Sequence, residues 1–231
     1  MSKTTKTVIA LSVAGLATML AAPAAMAEKG DWIVRGGWTM VAPKSDNFVL
    51  PGFIEVTPVD SKPAPGSLVL DVDDGSSFGF NITYMMTDNL GVELLAALPF
   101  KHDIKASVAG VGGLGKIAET EHLPPTLSLQ YHFLPDGKFR PYVGAGINVT
   151  IFSNEKIDPE LADKLSLDTS TGIAAQAGLD IPFGERWLVN FDVRWIDIDT
   201  KAKITDDVGT ETLGTVEIDP FVYSIMIGYQ F

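Results

Sequence analysis

Three histidines and several carboxylate clusters are the residues of this chain best suited to chemistry. A zinc site needs three or four His, Cys or carboxylate donors brought close together. His102, His122 and His132 are too scattered to predict one; the first two flank a single long connection, and His132 lies on the polar side of its segment. The stretch GVGGLGKI at residues 110–117 sets Gly110, Gly115 and Lys116 at phosphate-loop spacing. Ile117 then stands where a Ser or Thr must hold magnesium, so a flexible external loop is expected. DVDDG, from Asp71 to Gly75, opens like a calcium loop, but Ile82 occupies the position of the bidentate Glu, which leaves a solvated loop end. No spacing singles out a Ser–His–Asp set, and with no cysteine there is no thiol chemistry. No catalytic residue, metal site or cofactor is expected, and the chain does not read as an enzyme.

A different chemistry, charge held in an enclosed space, is better supported. Arg35, Glu93, Asp180, Asp192 and Arg194 all fall on the polar side of segments that alternate apolar and polar residues. In WLVNFDVRW, Trp187, Val189, Phe191, Val193 and Trp195 share one face, and Leu188, Asn190, Asp192 and Arg194 share the other. That period of two marks a strand with one apolar side. The last segment sets Phe221, Tyr223, Ile225, Ile227, Tyr229 and Phe231 against Val222, Ser224, Met226, Gly228 and Gln230. WIVRGGWTM, FGFNITYMM, LGVELLAAL, TLSLQYHF, YVGAGINVTIF and IAAQAGLDIPF follow the same rule, which makes eight strands. Short links (TDN, LPDGKFR, GER) alternate with long ones around residues 42–76, 99–123, 153–170 and 200–217. The pattern predicts an up-and-down meander with its tight turns at one end and long polar loops at the other. DPELADKL, residues 158–165, is a candidate helical turn within the third long loop.

The apolar faces carry no charge, and aromatic residues gather near their ends, as with Trp187, Trp195, Tyr229 and Phe231. The polar faces hold few charges and many glycines, which suits a cramped interior rather than a water-facing surface. A soluble lipocalin-like barrel would point its apolar face inward. Here the pattern favours lipid outside, that is, an all-β, eight-stranded antiparallel transmembrane barrel with long extracellular loops and short periplasmic turns. The five inward charges are then expected to form a lumen ion-pair network near the periplasmic side.

Compartment is read from the N-terminus. Lys3 and Lys6, an apolar run from Val8 to Leu20, and AAPAAMA before Glu28 form a signal-peptide pattern, so residues 1–27 are expected to be removed and 28–231 to form the barrel. A formal net charge of −12 opposes binding to nucleic acid.

ELLAALPFKHDI (93–104), HLPPTLSLQYHF (122–133), RPYVGAGINVTIF (140–152) and the GYQF ending are similar to the OmpW/AlkL family of small outer-membrane proteins. The resemblance implies a barrel in the Gram-negative outer membrane with a hydrophobic passage opening sideways, and passive uptake of small apolar molecules. It also implies that the assembly machinery reads the terminal strand through Tyr223, Ile225, Ile227, Tyr229 and Phe231. Expected partners are outer-membrane lipid, lipopolysaccharide, that machinery and the apolar solutes, for a monomeric barrel. Met85, Leu95, Val222 and Met226 are inward residues expected near the outer ends, lining a greasy passage or filling a plugged lumen. Pro124 and Pro125 donate no ladder hydrogen bond, so they mark either a lateral opening beside the third strand or an ordinary strand start. The alternative reading is a structural or adhesive surface protein whose acidic loops bind ions or host ligands.

Overall fold

The computed structural model describes residues 28–44, 48–49, 68–108 and 110–231. The expected signal segment, 1–27, lies outside these residues, as does most of the first long connection. Fifteen strands are described: β1 (Trp32–Ala42), β2 (Phe48–Val49), β3 (Leu68–Val72), β4 (Gly75–Met85), β5 (Leu90–Ala97), β6 (Phe100–Val108), β7 (Gly112–Leu123) and β8 (Thr126–His132). They continue with β9 (Arg140–Ile157), β10 (Lys164–Leu167), β11 (Ser170–Phe183), β12 (Trp187–Ile196), β13 (Asp199–Asp206), β14 (Gly209–Glu217) and β15 (Phe221–Gln230).

Eight of these close into an antiparallel barrel in the order β11-β12-β15-β1-β4-β5-β8-β9, with β9 pairing back onto β11. The first and last strands meet from Ile33↔Gln230 to Ala42↔Phe221, and β9 meets β11 from Arg140↔Asp180 to Thr150↔Ser170. Closure leaves the barrel without a free sheet edge, and the backbone groups of its wall find partners on the neighbouring strands except above the β5–β8 ladder, which ends at Leu95↔Thr126. The tight turns after β4, β8 and β11 all fall at one end, as the link lengths predict.

Polarity runs opposite to that of a soluble domain. Phe221, Tyr223, Ile225 and Ile227 of β15 are exposed, whereas Val222, Ser224 and Met226 are buried. Arg35 and Arg194 are among the largest fully buried side chains, at 0% and 1% exposure. A soluble barrel cannot keep its charges inside and its leucines outside, because burial of apolar area is what drives it to fold. Aromatic pairs ring the short-turn end: Trp32–Tyr84 and Trp187–Tyr229 at 4.9 Å between centroids, and Tyr131–Phe133 at 5.1 Å. Such rings are amphipathic and favour a membrane–water boundary.

The long connections depart from the expectation of polar loops, because they carry the barrel strands onward as sheet. β9 runs for 18 residues, pairing with β8 along its lower part and with β7 above. β7, β6, β3 and β2 continue this wing, and β10, β13 and β14 make a separate three-stranded sheet. The apolar alternation stops at the barrel rim because the outward side then carries Lys101, Asp103, Lys105, Lys116 and Glu119, joined in ion pairs. Strand geometry persists where its hydropathy signature ends. GVGGLGKI is accordingly the β6–β7 hairpin rather than a loose loop: Gly110 (φ 82°) makes the turn, and Gly115 (φ 91°) sits at a bulge opposite Ala106. DVDDG ends β3 and starts β4. DPELADKL forms a turn, with the Leu161 and Ala162 amides donating to the Asp158 carbonyl.

Phe191 faces outward in the middle of β12, between Leu179 and Ile225. Phe191→Arg is expected to destabilise the barrel by about 2–4 kcal/mol, measured by urea-dependent folding into liposomes. Unchanged stability would mean that this face does not meet hydrocarbon.

Candidate functional site

In the lower lumen, toward the short turns, strand alternation aims polar side chains from β1, β4, β5, β8, β9, β11 and β12 at one another. Arg35 clasps Asp180 bidentately, Nε–Oδ1 at 3.0 Å and Nη2–Oδ2 at 2.5 Å. Its Nη1 donates to Asn81 Oδ1 (3.1 Å) and Thr83 Oγ1 (2.8 Å). Asn190 donates to Asp180 Oδ1 (2.8 Å) and to the Tyr142 hydroxyl (3.0 Å), and that hydroxyl donates to Asp192 Oδ2 at 2.8 Å. One layer up, Arg194 pairs with Glu93 at 2.6 Å and also donates to Gln176 Oε1, while Gln130 donates to Glu93 Oε2 at 2.8 Å. Asp192 lies 3.7 Å from Arg194. The five inward charges thus resolve into two ion pairs bridged by Asp192, Tyr142 and Asn190. Removing one member strands a buried charge, whereas the set, paired except at Arg194 Nη1, Gln176 Nε2 and Asn190 Oδ1, rigidifies the barrel centre.

The alternation missed Tyr142 of this network and, beside it, the buried Arg140, which donates to the Gly137 carbonyl and to Gln230 Oε1. Tyr142 begins a segment whose apolar side is easier to see, and Arg140, buried at 2%, stands where the short link LPDGKFR was expected. His132 does sit in the lumen, 3.2 Å from Gln130 Oε1.

Toward the long-loop end the lining becomes apolar. Val41, Phe100, Ala174, Ile196, Ile198 and Val222 form one buried cluster, with Ala97, Phe152 and Ile218 against it. Of the four residues expected to line an outer passage, Val222 belongs to this cluster. Leu95 is the last β5 residue paired to β8, and Met226 sits lower, its sulfur 3.7 Å from Asn81 Nδ2. Met85 is misplaced by the expectation. β4 runs from the long-loop end toward the tight turns, so its last residue lies at the opposite rim, clustered with Ile33 and Leu188.

Beside the apolar cluster the wall is interrupted. The β5–β8 ladder stops at Leu95↔Thr126, and the β6–β7 ladder starts at Phe100↔His122. Between them, Ala96, Ala97, Leu98 and Pro99 face Leu123, Pro124 and Pro125 with no cross-strand register. Each lip is held from its far side: the Leu98 amide donates to the Phe78 carbonyl, and the Val149 amide and Asn148 Nδ2 donate to the Pro125 carbonyl at 3.0 and 3.1 Å. Thr126 Oγ1 donates to the Pro124 carbonyl at 3.0 Å. Pro99, like Pro124 and Pro125, has no amide hydrogen to give. Its part in the gap was hidden in the sequence because it sits in a link, not at a strand start.

The wing above this gap brings together the two histidines that flank one long connection in the sequence. His102 and His122 stack with centroids 4.8 Å apart, and His122 also stacks on Phe100 at 5.5 Å. His102 Nδ1 lies 2.7 Å from the Asp73 carbonyl, to which it must donate. Burial lowers the pKa of His102 despite nearby Asp73, Asp74 and Asp103; burial, followed by the neighbouring His102, pushes that of His122 down to about 3. Elsewhere at this end, the carboxylates of Asp197, Asp199 and Asp219 gather within 4.8 Å. Burial and these neighbours raise the pKa of Asp199, with Glu217 also contributing.

The sequence profile of the OmpW family matches residues 28–231. Outer membrane protein W of Vibrio cholerae is 38% identical over 233 residues, covering 98% of this chain and 99% of that protein. The crystal structure of the outer membrane protein OprG from Pseudomonas aeruginosa is similar with a TM-score of 0.74 at 36% identity, covering 88% of this chain and 97% of that one. The dibenzothiophene metabolism operon protein PahQ of Pseudomonas aeruginosa is 29% identical over 209 residues, covering 89% of this chain and 90% of that protein.

The buried imidazoles set a pH dependence. His122 is held at about 3 in the fold against 6.5 when free, so below pH 6.5 the unfolded segment takes up a proton that the folded one refuses. The wing is therefore expected to lose stability steadily as pH falls from 6.5 toward 3. Glu119, held well below the carboxylate range by Lys116, Lys156 and Lys101, adds to the loss in the lower part of that window, where the unfolded carboxylate takes up a proton that the folded one refuses. Protection factors of the β6 and β7 amides, the exchange rates corrected for the intrinsic slowing with acidification, should decrease as pH falls, and His122→Phe should flatten the response. Protection factors independent of pH in the parent protein would contradict this.

Proposed function

This chain belongs to the OmpW family of outer-membrane barrels, and from that premise we propose that it takes up small hydrophobic molecules by passive diffusion and releases them sideways into the membrane. The observation that carries this reading is the apolar cluster at the extracellular end, placed beside an unpaired stretch of wall and above a charged, hydrogen-bonded floor. Lipopolysaccharide sugars and charges oppose the entry of apolar solutes, and a polar water-filled pore desolvates them poorly. An apolar lining offers roughly 25 cal/mol per Å² of solute surface removed from water. Descent past Arg194, Glu93, Arg35 and Asp180 would require an apolar molecule to disrupt satisfied ion pairs. The lower-energy exit is through the gap between Ala96–Pro99 and Leu123–Pro125, directly into hydrocarbon. In this reading the ion-pair network acts as a plug. Similarity to a relative named for a dibenzothiophene metabolism operon supports an apolar cargo.

The terminal strand fits recognition by the assembly machinery. Tyr223, Ile225 and Ile227 face outward, and Tyr229 stacks edge-on between Trp187 (4.9 Å) and Phe231 (4.8 Å). The adhesive alternative does not account for an apolar cluster that adjoins a break in the wall.

Replacing Pro124 with Val and Pro125 with Thr restores two amide donors at the lip. The ladder should then extend upward from Thr126 and narrow the gap. Uptake of n-octane by cells is expected to drop, while heat-modifiable gel mobility and surface display persist. Unchanged uptake in a well-folded double variant would remove the lateral route.

A further inference from the structure

His102 and His122 are 2% and 6% exposed, and each buries an Nε2 that finds no hydrogen-bond partner among the described residues. A buried polar atom left unmatched is costly, and such atoms in folded proteins call for an explanation. The tautomer of His102 is settled by its neighbour: Nδ1 donates to the Asp73 carbonyl, so Nε2 carries a bare lone pair. His122 has no such constraint on its Nε2, which can present either a lone pair or an N–H. Both rings lie at the edge of the apolar cluster, because His122 touches Phe100 and lies 6.1 Å from Phe152. A Cβ built on Gly75 would lie 2.8 Å from His102 Nε2, so only a glycine there lets the ring pack this closely against the start of β4.

We propose that the stacked imidazoles of His102 and His122 form a hydroxyl-recognition site at the upper edge of the lateral gap, selecting apolar molecules that carry a single O–H group, such as alcohols and phenols. A hydroxyl both donates and accepts. It can give its proton to His102 Nε2 while meeting His122 Nε2 in either tautomer. Its hydrocarbon remainder can lie against Phe100, Phe152 and Val222 in the adjoining cluster. A divalent metal suits the two nitrogens less well. The nearby carboxylates of Asp73 and Asp103 are engaged by Lys105 and Lys116, which leaves Asp74 to balance a dication beside phenylalanines. The depressed pKa values of both rings keep them neutral, as hydrogen bonding to a neutral hydroxyl requires.

The inference rests on the uptake reading, and the experiment separates the two. Uptake of 1-octanol and of n-octane is compared in vesicles with lipopolysaccharide in the outer leaflet, using the parent barrel and the His102→Phe/His122→Phe variant, which retains ring stacking and loses both Nε2 atoms. Octanol uptake is expected to fall about five- to tenfold, the effect of one lost hydrogen bond or slightly more, with octane unchanged. In ¹⁵N-histidine-labelled parent protein in lipid nanodiscs, octanol should shift the Nε2 resonances of both rings and octane should not. Equal loss for both solutes would assign the rings to packing and overturn the site, as would undiminished octanol uptake. Zinc perturbing the Nε2 resonances where octanol does not would assign the lone pairs to a metal and overturn it too. Should the parent fail to speed octane uptake, the transport reading falls, while the nanodisc measurement still decides whether the imidazoles bind a hydroxyl. If the double variant does not fold, His122→Phe alone is put through the same comparison.

Discussion

Hydrocarbon offers no partner to a backbone amide or carbonyl, and the rest of this molecule follows from that constraint. A strand in lipid must be paired on both sides, so the eight barrel strands close through β9 and β11, and the chain's last strand returns to its first. Closure at this small strand number leaves a lumen wide enough for side chains and little else. The polar face of every strand is thereby confined with the polar faces of all the others.

Confinement explains the charged interior. Arg35, Asp180, Arg194, Glu93 and Asp192 would be prohibitively costly on the lipid side, and inside they are tolerable because each finds hydrogen-bonding partners. The neutral side chains do as much as the charges: Tyr142 and Asn190 tie the Arg35–Asp180 pair to Asp192, and Gln130 and Gln176 steady the Arg194–Glu93 pair. The network is rigid because its members come from strands distant in sequence, so no single strand can shift without breaking several bonds.

The same constraint gives the interruption above Leu95 its significance. A stretch of wall without cross-strand pairing is stable only if each lip is satisfied elsewhere. Here Asn148 and the Val149 amide hold the Pro125 carbonyl, while Phe78 accepts from Leu98. Prolines on both lips remove the donors that would otherwise draw the strands together. The stacked histidines and the charged outer face of the wing stand above this break, where water again competes for polar groups.

Much of this was legible in the residues alone. The strict alternation from Trp187 to Trp195 and from Phe221 to Phe231 determined the strands, their lipid-facing sides and the inward placement of the charges, because a period of two maps directly onto the faces of a sheet. Link lengths determined which end carries the tight turns, and because β4 runs toward that end Met85 lies there and not at the outer rim. Partnership was a different matter. Arg35 meets Asp180 across 145 residues and Arg194 meets Glu93 across 101, and the stagger of the closed barrel, which no local spacing encodes, selects those pairs. The wing was invisible because its outward side is charged, so its strands lack the hydropathy contrast by which the barrel strands were read. His102 and His122, 20 residues apart on two strands, became neighbours only through the bulged register of β6 and β7. Local pattern determined which way each side chain points; only the closed, staggered sheet decided what it meets there.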